Sequence, residues 1–218
     1  LGQGVGPGKS VLAALPNIPT HIALAFGIWK TGACYVPVSN RAPQRNLMEI
    51  CACVSPALVI TNRKKPDGYP GLSTAELRTL CADCPADMPP DVLAIPNLAN
   101  CSGGTTGKTK VIEQDMPAGE SDEGLRTWFA VSGMRVEMRQ LLAGPLFHGA
   151  PHSAAFNGLY CGNTLIMPAK LDAETIVRLI KKYRIEYVQM VPTLMQRISR
   201  MPGFRTVSYT HLRAHETE

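Results

Sequence analysis

Short runs rich in β-branched and apolar residues alternate along this chain with segments of helical period, and that alternation restricts its fold more than any other feature. Strands separated by helices are the pattern of parallel sheets covered by helices, because each crossover must carry the chain back before the next strand can begin. Val11–Leu15 reads as a strand, and Pro19 and Thr20 open an apolar helix through Trp29 that ends near Gly32. Cys34–Val38 is the next strand, Pro43 starts a helix carrying Leu47, Ile50 and Val54, and Leu58–Thr61 is a third strand. Residues 64–71 form a polar loop, and Ser73-Thr74-Ala75-Glu76 spells a capping box before a short surface helix. Further on, Val111 and Ile112 lie in an extended run over 110–114, Leu125–Val131 is helical, and Gln140–Ala143 is extended. Thr164–Met167 reads as a buried strand. Asp172 caps a helix with Ile176, Leu179, Ile180 and Tyr183 on one face, Glu186–Val191 is a strand stopped by Pro192, and Thr193 opens the last helix. The fold class is α/β, mostly parallel sheet flanked by helices.

Composition removes several alternatives. With 45% apolar and 18% charged residues the chain is neither disordered nor a coiled coil. Its net charge of +5 is spread along the sequence rather than gathered in a cationic stripe, which argues against a nucleic-acid partner. The longest apolar stretch, Ile22–Trp29, is far below the roughly 20 residues that span a bilayer. Of the seven cysteines, Cys81-Ala82-Asp83-Cys84 stands without a second knuckle, so a zinc site is not expected. The apolar neighbours of Cys34, Cys53 and Cys161 suit reduced thiols packed as small hydrophobes, in keeping with a cytoplasmic address. The segment 207–218 breaks the rhythm of the chain and resembles a translated sequencing adapter. It is expected to adopt no structure, and its His211 and His215 are assigned to no site.

Two glycine-rich stretches imitate phosphate loops. Gly8-Lys9-Ser10 ends like a Walker loop, but Gln3 stands where the first glycine belongs. Ser102-Gly103-Gly104-Thr105-Thr106-Gly107-Lys108-Thr109-Lys110 is stronger. Its glycines let the backbone wrap an anion, its hydroxyls add donors, and Lys108 and Lys110 supply charge. A Walker loop in a nucleotidase or kinase must run directly into a helix, whereas Val111-Ile112-Glu113 is followed by Pro117 and Gly119, which favours a strand. A non-catalytic nucleotide-binding module is a further alternative.

The same loop resembles that of the adenylate-forming enzymes, whose pattern S/T-S/G-G-T-T-G-x-P-K it matches except at Thr109, where proline is usual. Gly144-Pro145-Leu146-Phe147-His148-Gly149 and Val191-Pro192-Thr193 resemble two further motifs of that family, in the same order. The resemblance runs over about 4–206 and is nearest to bacterial CoA ligases of fatty-acid or bile-acid type. It implies part of a large N-terminal domain and a parent ligase that uses ATP with Mg2+ to convert a carboxylic acid to an acyl-adenylate, then a coenzyme A thioester. It further implies that Ser102, Gly103, Gly104, Thr105, Thr106, Gly107, Lys108 and Lys110 hold the ATP phosphates and that His148 borders the acyl pocket. The chain by itself is expected to be inactive, since the adenine, ribose and magnesium contacts of the family lie beyond Thr206.

Overall fold

A computed structural model describes residues 4–84, 91–103, 109–115, 121–202 and 213–216, which fall into two compact units, 1–119 and 120–218. In the first, strands β1 (Ser10–Ala14), β2 (Cys34–Pro37), β3 (Leu58–Thr61), β4 (Gly71–Leu72), β5 (Leu98–Gly103) and β6 (Thr109–Gln114) form one sheet in the order β4-β3-β1-β2-β5-β6. All neighbours are parallel except the β5–β6 hairpin. Helix α1 (Pro19–Lys30) joins β1 to β2, and α2 (Gln44–Val54) joins β2 to β3 on the other side of β1. Because such crossovers are right-handed, reversing direction places the two helices on opposite faces. The side chains obey this. Leu12, Ala14, Val36 and Val59 pack with Leu47, Ile50 and Cys51 of α2, whereas Tyr35 meets Trp29 and His21 of α1. Strands covered on both faces read as continuous apolar runs, which is why they were conspicuous in the sequence. Helix α3 (Thr74–Ala82) carries the expected capping box and buries none of its residues.

His21 is a titratable group buried in this unit, at 1% exposure. Pro16 O can only accept, so His21 Nδ1 donates to it at 3.1 Å, and Nε2 accepts from the Tyr35 hydroxyl at 2.6 Å. Burial holds this neutral imidazole down to about 4 from 6.5. The unfolded chain therefore binds a proton that the folded chain refuses between pH 6.5 and 4. Stability from this group is complete above pH 6.5 and declines as the pH falls to 4, by on the order of 3 kcal/mol. Denaturant titrations across that window should show one proton less of linkage in His21→Gln than in the wild type; equal slopes would remove His21 as the cause.

The second unit holds an all-parallel sheet of β7 (Arg139–Leu142), β8 (Thr164–Ile166), β9 (Tyr187–Met190) and β10 (Arg213–Glu216), ordered β10-β9-β7-β8. Its helices are α4 (Asp122–Ser132), α5 (Gly149–Tyr160), α6 (Ala173–Tyr183) and α7 (Pro192–Ser199). Leu141, Val188 and Met190 pack with α6 and α7, while Tyr187 packs with Met134, Met138 and the α4 side chains Leu125, Trp128 and Phe129. On that second face Gln140 is buried and bonded through both its amide nitrogen and its amide oxygen. Its Nε2 donates to Ala154 O at 2.7 Å and its Oε1 accepts from Asn163 Nδ2 at 3.3 Å, while Asn163 Oδ1 accepts from Met138 N at 2.8 Å.

Four expectations are corrected. Thr164–Ile166 is an edge strand with Thr164 exposed, not a buried one. Tyr183 is 40% exposed, at the margin of the α6 apolar stripe. Cys53 lies on the exposed side of α2, and the thiols packed inside are those of Cys34, Cys51 and Cys161. Arg213–Glu216 forms a strand with β9 although 207–218 was expected to form none. A parallel ladder is made by backbone groups that almost any residue supplies, so side-chain pattern gives no warning of it.

Candidate functional site: a phosphate-loop hairpin and a crevice at a switch point

The root of the glycine-rich segment is a two-stranded antiparallel ladder running from Leu98↔Gln114 to Gly103↔Thr109. Ser102 and Gly103 thus belong to β5 rather than to the loop, and Lys110 is exposed on β6 directly opposite Ser102. Gly104, Thr105, Thr106, Gly107 and Lys108 lie outside the described residues. Thr109–Gln114 is a strand and the next helix begins only at Asp122, so the helix a Walker loop requires is not there. Thr109 stands in the ladder where the family pattern has proline, a residue that could not donate an N–H there.

The hairpin is firmly based. Leu98 and Ala99 are buried, and Asn97 O accepts from Trp29 Nε1 at 2.7 Å and from Tyr35 N at 3.0 Å, which fastens the start of β5 to α1 and β2. Val111 and Cys101 pack toward α2. Burial pushes the thiols of Cys34, Cys51 and Cys101 up to about 12, 11 and 11, so they stay protonated and behave as apolar filler. Among the described residues no group of three or more His, Cys, Asp or Glu side chains could hold a metal ion, so these residues do not supply a Mg2+ site.

The second unit carries a crevice of about 470 Å3 at the carboxyl ends of β7 and β9. From these adjacent strands the chain leaves toward opposite faces, into α5 and into α7, and the gap so created is where open α/β sheets bind ligands. Ala143, Gly144, Pro145, His148 and Pro151 line one side; Gln189, Val191, Thr193, Leu194 and Arg197 line the other. The path after β7 is tightly drawn. A Cβ on Gly144 would come within 2.5 Å of Pro151 Cγ, and His148 N donates to Pro145 O at 3.1 Å to close the turn. His148 is the N-cap residue of α5, exposed, with its ring 4.4 Å from that of Phe147.

His148 and the Val191-Pro192-Thr193 run, far apart in sequence, therefore line one crevice. Sequence reasoning missed Gln189, Leu171 and Arg197. Gln189 left a signal, a polar residue buried within the apolar strand Tyr187–Met190, and Arg197 another, four residues after Thr193 on the same face of α7.

Several known proteins are similar to this chain in sequence or in fold. The chain is 27% identical over 227 residues to a feruloyl-CoA synthase of an Amycolatopsis species, covering 96% of this chain and 44% of that protein. It is 28% identical over 221 residues to the pyochelin synthetase PchE of Pseudomonas aeruginosa, covering 97% of this chain and 15% of that protein. The chain thus spans less than half the length of these curated relatives. Among solved structures, the inhibitor-bound N-terminal domain of FACL13 from Mycobacterium tuberculosis superposes with a TM-score of 0.83 at 22% identity, over 99% of this chain and 58% of that one. The o-succinylbenzoate CoA synthetase of Bacillus subtilis with its acyl-adenylate intermediate gives 0.81 at 14% identity, over 100% of this chain and 57% of that one. The AMP-binding enzyme family model matches residues 1–216, and this chain therefore belongs to the AMP-binding enzyme family.

Proposed function

We propose that this chain is the phosphate-gripping and acid-binding part of a longer ATP-dependent ligase that activates a carboxylic acid as its acyl-adenylate and transfers it to coenzyme A. The observation that carries the reading is the β5–β6 hairpin. In sequence its two strands bracket a Gly/Thr/Lys-rich segment, and Lys110 stands on the second strand opposite Ser102, an arrangement suited to polyphosphate and foreign to a Walker loop.

A carboxylate is a poor electrophile until its oxygen has attacked the α-phosphorus of ATP and displaced pyrophosphate. That step needs positioning and charge neutralisation more than covalent help. In this proposal Ser102 to Lys110 hold the β- and γ-phosphates, Mg2+ arriving with ATP supplies further charge, and the crevice beside His148 takes the acid. The relatives include a pyochelin synthetase as well as a feruloyl-CoA synthase. The crevice favours a plain acid over an amino acid, because among the described residues no Asp or Glu lines it to meet an ammonium group.

The test is exchange of pyrophosphate into ATP by the parent enzyme in the presence of octanoate, ferulate or an amino acid, followed by thioester analysis with coenzyme A. Acid-dependent exchange with a CoA thioester product is expected, and none from residues 1–218 alone. Exchange driven by an amino acid, or a thioester formed only on a carrier protein, would overturn the CoA assignment.

A further inference from the structure

The crevice walls are chiefly apolar, with Ala143, Pro145, Pro151, Leu171, Val191 and Leu194 among them. One guanidinium stands in that lining, Arg197, in the last turn of α7. The ion pairs among the described residues are Arg45–Glu49, Lys64–Asp67, Lys65–Glu76 and Arg139–Glu186, and Arg197 takes part in none of them. Among the described residues no carboxylate lines the crevice to neutralise it. A helix cation with no role beyond favouring a C-terminus can point anywhere around the helix. This one shares a face with Thr193, one turn back, and with Leu194, both of which line the same cavity.

We propose that Arg197 is the anion anchor of the crevice, and that the ligand it selects is an amphiphilic carboxylate whose apolar body lies against Leu171, Val191 and Leu194 while its carboxylate pairs with the guanidinium. The planar fork of Arg matches two carboxylate oxygens at once, which a Lys ammonium cannot do. The inference rests on reading the crevice as an acid site, and it adds that the charged end is recognised by this chain before any nucleotide binds.

Equilibrium binding of octanoate and of 1-octanol to the 218-residue chain, without ATP, tests it. The two probes share the apolar body and differ in the charge. Octanoate should bind roughly tenfold tighter than the alcohol at low salt, as one partly solvated charge-assisted pair permits. Arg197→Gln should erase that preference while leaving octanol binding in place, and Arg197→Lys should keep part of it. Unchanged octanol affinity in each variant reports an intact crevice. Equal binding of the two probes to the wild type would overturn the proposal, as would a preference that survives Arg197→Gln or that is lost instead in His148→Asn. Failure of acid-dependent exchange in the parent enzyme would sink the ligase reading without touching this preference, so the two can fall separately.

Discussion

Lys110→Ala in the parent enzyme should slow acid-dependent exchange of pyrophosphate into ATP by about 100- to 1000-fold, the range seen when one donor is removed from a developing oxyanion. The residue is exposed on β6 opposite Ser102, so removing its side chain opens no cavity and the thermal midpoint should not move. The loss should fall on adenylation, where charge passes to departing pyrophosphate, and spare the later attack of the thiol on the carbonyl. Lys110→Arg, which keeps the charge, should retain a part of the rate. Wild-type exchange in Lys110→Ala would show that this hairpin does not serve the phosphates.

Gly158→Ala should destabilise the second unit by about 3–5 kcal/mol, although glycine-to-alanine inside a helix ordinarily stabilises by about 1 kcal/mol. The sign reverses because the new Cβ would sit 1.8 Å from Gln140 Oε1 and 2.8 Å from its Cδ. Gln140 cannot yield without abandoning Ala154 O and Asn163, so the variant must either crowd the α5–sheet contact or leave buried amides unpaired. The two tryptophans, Trp29 in the first unit and Trp128 in the second, permit a separate readout. Single-tryptophan versions should show the midpoint falling at Trp128 and holding at Trp29. The double change Gly158→Ala with Gln140→Ala should recover part of the loss. A neutral or stabilising Gly158→Ala would mean that the amide network has room the structure does not show.

Much of the fold was legible because its strands are covered on both faces. Leu58–Thr61 is observed with the boundaries read from sequence, and Asp172 caps α6 as expected, its Oδ1 accepting from Thr175 N at 2.8 Å. β4 was hidden because two residues, one of them a glycine, carry no period, and β5 because its Leu-Ala-Asn-Cys-Ser-Gly run merges into the glycine-rich composition that follows. At the site, motif spacing singled out Ser102 to Lys110 and His148 as candidates, and the structure places His148 on the crevice. The signals left by Gln189 and Arg197 were passed over, since a lone polar residue in a strand or helix acquires meaning only when the topology brings two strand ends together.

That topology bears on how such a chain can change over generations. Of the residues lining the crevice only Gln189 belongs to a strand; the others come from the segments that follow β7 and β9, from Leu171 ahead of α6, and from the first turns of α5 and α7 with Arg197 just beyond. Substitutions at Val191, Thr193 or Arg197, all exposed, leave the cores around Leu141, Val188 and Tyr187 untouched. Selection can therefore rewrite ligand choice a residue at a time while the sheet's inheritance stays fixed, and lineages with one backbone can part ways in diet.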